Sequence, residues 1–194
     1  VVELKAEVVG DICKEVIAFA NTKGGTLYIG VSDDGSVVGV KNADHVILQL
    51  NNMIRDSIKP DVTMFVGYET QHVGDKDIIA VTIQKGTDRP YYLGSKGLKP
   101  SGVYVRNGTS SDPATDTAIR RMIKETDGDN FESMRSLEQN LSFEAAEKQF
   151  EKQNIPFDTA KMQTLGMISA DGIYSNVALL LSDQCPSTIK AATF

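Results

Sequence analysis

The sequence has few of the residues that build metal sites and histidine-based active sites. Among 194 residues there is no tryptophan, and there are two cysteines and two histidines. Cys13 and Cys185 lie far apart without the CxxC or CxxH context of a zinc site, so we expect two free thiols in a reducing cytoplasm. His45 and His72 stand in unrelated contexts. This scarcity argues against a zinc site and against catalysis by histidine.

Long apolar runs and an excess of positive charge are missing as well. No apolar run reaches the roughly 18 residues that a membrane helix needs. Glu3, Lys5 and Glu7 interrupt the N-terminal stretch where a signal peptide would have its apolar core. The net charge is −6 and the pI is about 5.0. Because phosphate neutralisation needs clustered Lys and Arg, this composition argues against a strongly basic nucleic-acid binder, but it leaves room for a local basic face.

The remaining composition is that of a globular protein, with 41% hydrophobic and 24% charged residues. Residues 1–126 alternate strand and helix patterns, which predicts an α+β domain with a mixed, mainly antiparallel sheet and packed helices. The pattern of apolar and polar residues changes near residue 127. Amphipathic stretches then predict a helical segment over residues 127–194. The final letters, IKAATF, predict the start of a strand that is cut off. We therefore expect a fragment of a longer protein, with a truncated C-terminal domain.

Periodicity and turn signals place the elements of residues 1–126. Strands are predicted at residues 1–8, 26–31, 36–40, 62–70, 77–84 and 102–108. Helices are predicted to begin after a cap at Asp11, after a cap at Asn42 or Asp44, and at about Ala114. The letters TSSD after the last strand predict a loop.

Several motifs in the predicted domain of residues 1–126 resemble a known family. They are an E-[FL]-K start, a helix ending in AFANT.GG, a strand L.IGV, a DDG…GV hairpin, and later a Y.R.G.S…A segment. This pattern resembles the AlbA-like domain of the Schlafen superfamily, and the resemblance extends over essentially the whole chain. It implies a DNA-binding domain of a bacterial transcriptional regulator, with DNA as the partner and RNA as a second candidate. In this group an ATPase-like domain of the GHKL type often follows.

The same resemblance implies an alternative function, a metal-dependent nuclease. Eukaryotic Schlafen relatives include RNases that use two glutamates and an aspartate. Glu3 matches the glutamate of the E-[FL]-K motif, Asp33 is the best match to the aspartate, and the other glutamate would precede residue 1. Relatives often have aspartate where this chain has Ser32. Carboxylates so placed could hold Mg²⁺ or Mn²⁺, but acids that start a strand and stabilise a turn explain the same residues.

The letters NTKGG, residues 21–25, allow two interpretations. Glycine backbone could approach a phosphate, with charge from Lys23 and hydrogen bonds from Asn21 or Thr22. Alternatively, the glycines end a helix. A phosphate cradle normally precedes a helix, whereas this pair follows one, which favours the helix cap.

The letters YVRNGTSS, residues 104–111, are the better candidate for binding. An arginine at a strand end, followed by hydroxyls and freed amides, is suited to phosphate contact. An Asn-Gly turn with the arginine paired to a carboxylate explains the letters equally well. The residues predicted to contact nucleic acid are Arg106, Asn107, Thr109, Ser110, Lys23 and Lys5.

Residues 88–102 interleave basic and aromatic side chains, as proteins that bind single strands do. We favour the alternative, in which Tyr91 and Tyr92 pack on the sheet. A third function remains open, a non-catalytic oligomerisation module that serves an absent domain. The acidic balance suits a homo-oligomer that assembles local basic faces. We expect no cofactor, with Mg²⁺ or Mn²⁺ required only by the nuclease alternative.

Overall fold

The computed structural model describes residues 1–128 and 130–187. The chain divides into two compact units, Val1–Met122 and Ile123–Phe194, and the boundary falls inside a helix. A mixed sheet with packed helices makes up most of the first unit, so the predicted α+β class is confirmed. None of the helices in these described ranges combines the length and apolarity that crossing a membrane requires.

The first unit begins with a strand, a helix and a parallel strand. Strand β1 covers Val2–Lys5, helix α1 covers Ile12–Asn21, and strand β2 covers Gly25–Ile29. β1 and β2 pair in parallel, with Val2 opposite Thr26. The helical spacing of apolar residues in α1 buries one face completely, because Ile12, Val16 and Phe19 have no solvent exposure.

Two antiparallel strands complete the main sheet, whose order is β1-β2-β5-β4. The elements from α2 onwards are α2 (Ala43–Ser57), β3 (Ile58–Lys59), β4 (Val66–Val73), β5 (Lys76–Ile83), β6 (Tyr92–Leu93), β7 (Tyr104–Asn107), β8 (Ser110–Pro113) and α3 (Asp116–Asp127). β3 pairs with β6, and β7 pairs with β8, in two small antiparallel sheets. The core is aliphatic and includes Leu27, Ile29, Ile79 and Val81.

Several predicted elements differ from the structure. Residues 36–40 form isolated bridges, Val31 with Val37 and Val40 with Asp77, instead of a return strand. The strand predicted at residues 62–70 starts later, at Val66, because Thr63–Phe65 form a 3₁₀ turn. Residues 110–113, predicted as a loop, form β8, because the Asn-Gly turn before them closes a hairpin.

The two predicted helix caps have different outcomes. Asp11 stands at the start of α1 but makes no capping bond, since its carboxylate accepts a hydrogen bond from Lys14 Nζ. Asn42 caps α2 as predicted, and its Oδ1 accepts a hydrogen bond from the backbone N–H of His45 at 3.0 Å.

The second unit contains helices α4 (Glu144–Lys152), α5 (Thr159–Thr164) and α6 (Asn176–Leu181). Its small core is Phe143, Met167 and Ala178, with further aromatic side chains around it. The predicted strand in IKAATF lies outside the described residues.

Candidate nucleic-acid interface

The hairpin of β7 and β8 carries most of the residues predicted to contact nucleic acid. Arg106 pairs with Ser111, and Asn107 pairs with Ser110, so the turn between the strands is only two residues long. Gly108 takes the φ of +63° that such a turn requires. We call residues 107–110 the hairpin tip, and all four are exposed.

Arg106 fastens this hairpin to the rest of the first unit. Its Nη1 donates to Glu3 Oε2 at 3.1 Å, to Glu15 Oε2 at 2.8 Å and to Ser111 Oγ at 2.9 Å. Its Nη2 donates to the backbone oxygen of Thr109 at 2.7 Å. The guanidinium therefore joins β1, α1 and both sides of the turn.

The environment of Arg106 is nearly closed to solvent. Its side chain is 5% exposed, against 19% for Glu3 and 13% for Glu15. The guanidinium carbon lies 4.8 Å from the centroid of the Phe19 ring, which adds a cation–π contact. Of the two interpretations of this arginine, the geometry is that of pairing with carboxylates. The structure thus gives Arg106 a positioning role for the hairpin tip.

Lys5 extends the same ionic network at the end of β1. Its Nζ donates to Glu3 Oε1 at 2.8 Å, and its side chain is 24% exposed. The pKa of Lys5 is raised, first by this hydrogen bond and then by the charges of Glu3, Glu15 and Asp33, against the opposing effect of burial. The positive charge of Lys5 is therefore balanced by the carboxylates around it.

The glycines after α1 have an architectural role. The N–H of Gly24 donates to the Phe19 oxygen at 2.9 Å, and Gly24 has a φ of +76°, so the helix-cap interpretation is confirmed. A Cβ at Gly25 would lie 2.3 Å from the Phe19 ring, so only glycine fits there. Lys23 is exposed on this turn.

Asn21 is buried and acts as a tie between segments. Its Nδ2 donates to the backbone oxygens of Tyr91 and Tyr104, both at 2.9 Å, and its Oδ1 accepts from the Tyr91 N–H at 2.7 Å. This side chain thus joins the end of α1 to β7 and to the segment before β6. Asn21 is only 3% exposed, so it offers little to a ligand in solvent.

Basic side chains contact Glu3, one of the carboxylates of the nuclease alternative. Lys5 and Arg106 occupy the two oxygens of Glu3, and Lys5 also feels the charge of Asp33. Within residues 1–128 and 130–187, no three His, Cys, Asp or Glu side chains are grouped so that they could hold a metal ion. The acids instead balance two basic side chains.

Sequence reasoning missed Glu15 as a member of the Arg106 network, and it treated Ser111 as a loop hydroxyl instead of a partner of Arg106. Glu15 precedes Phe19 by one helical turn and so shares its face of α1, which was an available signal. Ser111 could be placed opposite Arg106 only once the loop was recognised as β8. Tyr91 and Tyr92 are 0% and 4% exposed, so neither offers a surface for stacking bases.

Comparisons with known proteins place this geometry in a family. Residues 1–115 match the family described as Schlafen, AlbA_2. No curated protein matches the chain. The DIP2311 protein from Corynebacterium diphtheriae is similar in structure, with a TM-score of 0.50 and 19% identity, over 93% of this chain and 39% of that one. This chain therefore spans well under half of that protein.

A second solved structure is the N-terminal domain of a RecG-related protein from Nitrosomonas europaea. It has 26% identity and a TM-score of 0.43, over 59% of this chain and 82% of that one. The family match covers more than half of the 194 residues and contains β1, α1 and the β7–β8 hairpin. The chain belongs to the Schlafen AlbA_2 family.

Proposed function

We propose that the first unit is the DNA-binding domain of a transcriptional regulator and that the hairpin tip contacts the phosphate backbone. The observation that carries this proposal is an exposed polar tip held by a buried arginine. Asn107, Thr109 and Ser110 offer an amide and two hydroxyls, which are common partners of phosphate oxygens. A contact group gains affinity when its support is rigid, and Arg106 supplies that support.

The distribution of charge supports the proposal. Residues 1–122 contain 14 Lys and Arg against 15 Asp and Glu, a net charge of −1. Residues 123–194 contain 6 against 11, a net charge of −5. Most of the excess acid thus lies outside the first unit. An overall pI of about 5.0 is then compatible with phosphate binding by the first unit.

Within this proposal the predicted residues take different roles. Asn107, Thr109 and Ser110 contact phosphate, and exposed Lys23 adds charge from the turn after α1. Arg106 positions the tip, and Lys5 balances Glu3. A homo-oligomer would repeat these contacts and raise affinity through multivalency.

The test is fluorescence anisotropy with labelled duplex DNA over a range of salt concentrations, with light scattering on the same samples to count subunits. We expect binding that weakens steeply with salt. The combined variant Asn107→Ala, Thr109→Val and Ser110→Ala should bind at least about tenfold more weakly, the loss expected from a few phosphate contacts.

The matched control removes three exposed amides from the second unit, Gln149→Ala, Gln153→Ala and Gln163→Ala. It should bind as the unaltered protein does. Absence of DNA binding at low salt, or an equal loss in both variants, contradicts the proposal. If the protein binds a structured RNA more tightly than duplex DNA in the same assay, RNA replaces DNA as the proposed partner.

A further inference from the structure

A segment with two hydrogen-bonded turns precedes β7 and presents lysines to solvent. We call residues 93–103 the lysine turn. The Leu93 oxygen accepts hydrogen bonds from the N–H groups of Lys96 and Gly97, both at 2.9 Å. The Lys99 oxygen accepts from Gly102 at 2.8 Å and from Val103 at 3.0 Å. These bonds fix the backbone from which Lys96 and Lys99 project.

A third lysine lies beside this turn. Lys59 on β3 pairs with Tyr92 on β6, and the N–H of Gly94 donates to the Ser57 oxygen at 2.9 Å. A Cβ placed on Gly94 would lie 3.4 Å from Lys59 Cγ, so the stem of Lys59 lies against the turn. Lys59 therefore lies beside the segment that carries Lys96 and Lys99, and we call these three exposed lysines the lysine surface.

This surface is positive and open. All three lysines are exposed, and across the described part of the chain none has a carboxylate oxygen within 4.0 Å of its ammonium group. Between Arg89 and Arg106 the sequence contains two basic residues, Lys96 and Lys99, and no acidic one. The pKa of Asp61 is lowered mainly by hydrogen bonds from Thr63, and the positive charge of Lys59 lowers it further.

The aromatic rings next to the lysine turn are buried before it and partly buried after it, where Tyr104 donates its hydroxyl to the Ser101 oxygen at 3.1 Å. The two tyrosines before the turn, Tyr91 and Tyr92, are buried, and the Tyr91 N–H is bonded to Asn21. Proteins that bind single strands combine charge with exposed aromatic rings, whereas contacts to the backbone of a duplex need only charge and polar groups. The chemistry of this surface therefore fits a duplex.

We propose that Lys59, Lys96 and Lys99 form a second phosphate-binding surface for duplex DNA, at the opposite end of β7 from the hairpin tip. This inference rests on the proposed function and extends its site. The four residues of β7, which span roughly 13 Å, separate the lysine turn from the hairpin tip along the chain. Because both contacts address phosphates, the binding carries little sequence preference.

The test compares two triple variants that change net charge equally. One is Lys59→Gln, Lys96→Gln and Lys99→Gln. The control is Lys41→Gln, Lys148→Gln and Lys152→Gln, which changes exposed lysines outside this surface. Anisotropy with labelled duplex DNA gives the slope of log affinity against log salt concentration. We expect the first variant to lower the magnitude of that slope by about 2.7, or about 0.9 per phosphate contact, and the control to leave it within about 0.5.

The outcomes separate this inference from the proposed function. If unaltered protein does not bind duplex DNA at low salt, both are wrong. If it binds and the hairpin-tip variant weakens binding while the Lys59, Lys96 and Lys99 variant does not, only the lysine surface is wrong. An equal change of slope in both lysine variants also overturns it, since net charge alone would then explain the effect. Tighter binding to single-stranded DNA or to duplex RNA overturns the assignment to duplex DNA.

Discussion

Each compact unit contains an arginine paired with carboxylates, and the two arginines differ in how far along the sequence their partners lie. In the first unit, Arg106 bonds to Glu15 and Glu3, which are 91 and 103 positions away. In the second, Arg135 binds both carboxylate oxygens of Asp127, eight positions away, with Nε and Nη2 each at 3.1 Å. A long-range tie fixes the mutual placement of distant elements, whereas a local tie shapes one bend of the chain.

The hydrophobic cores of the two units differ as well. The first unit packs aliphatic side chains from α1, α2 and the central strands. The second relies on a few aromatic rings, and Phe143 has centroid distances of 5.8 Å to Phe157 and 5.6 Å to Tyr174. We therefore expect the first unit to lose stability when a tie is cut and the second to respond locally.

Arg106→Met should have the largest effect. It leaves Glu3 and Glu15 without their shared cation in a site mostly closed to solvent, and should cost about 3 kcal/mol in the free energy of unfolding of the first unit. Hydrogen exchange of the β5 amides measures this. Arg55→Met is the control, because that arginine is exposed and its ion-pair partner among the described residues is the exposed Asp56. It should change stability by less than about 0.5 kcal/mol, and equal losses would contradict the account.

Asn21→Ala should have the next largest effect. It removes three hydrogen bonds and leaves the Tyr91 N–H and the oxygens of Tyr91 and Tyr104 without that partner, so we expect a loss of about 2 kcal/mol. Asn107→Ala changes an exposed asparagine and should stay within about 0.5 kcal/mol. Urea denaturation of the two variants tests the difference. If Asn21→Ala leaves the free energy of unfolding unchanged, the hydrogen bonds of Asn21 do not stabilise the first unit.

Tyr68→Phe should be neutral or stabilising by about 1 kcal/mol, because the buried Tyr68 hydroxyl has no hydrogen-bond partner among the described residues. Burial raises the pKa of Tyr68 from 10.0 to about 12, with a smaller contribution from Cys13. The neutral phenol is favoured in the folded state, so its contribution is intact below pH 10 and is lost as pH rises through about 12. Urea midpoints across this window should fall more for the unaltered protein than for Tyr68→Phe. Equal falls of the urea midpoint in the two proteins would contradict this role of the Tyr68 hydroxyl.

Asp183→Asn should have the smallest and most local effect. The Asp183 carboxylate accepts hydrogen bonds from Ser142 Oγ and from the N–H groups of Glu144 and Ala145, and these bonds lower its pKa. A lowered pKa means that the contribution is present above the ordinary value of 3.8 and is lost as pH falls through the folded value. The acid-induced movement of amide chemical shifts at the start of α4 should therefore be larger in the unaltered protein than in Asp183→Asn, while the β5 amides should move equally in the two proteins. A difference between the two proteins throughout both units would contradict a local role.

Local patterns predicted much of the fold, and long-range contacts account for what they missed. Periodicity and turn signals placed α1, α2 and the β4–β5 pair, because each depends on nearby residues. The same patterns could not show that residues 36–40 pair only at isolated bridges, since pairing is decided by the rest of the sheet. The partners of Arg106 lie more than 90 positions away, so its two interpretations could not be separated from the sequence.

The central claim is that the first unit, through the hairpin tip, contacts DNA and the second unit does not. Hydrogen exchange by mass spectrometry, with and without saturating duplex DNA at low salt, tests it on the whole chain. The account predicts slower exchange in peptides that cover residues 94–111 and no change in residues 144–164. Protection confined to residues 144–164, with none in residues 94–111, would contradict it.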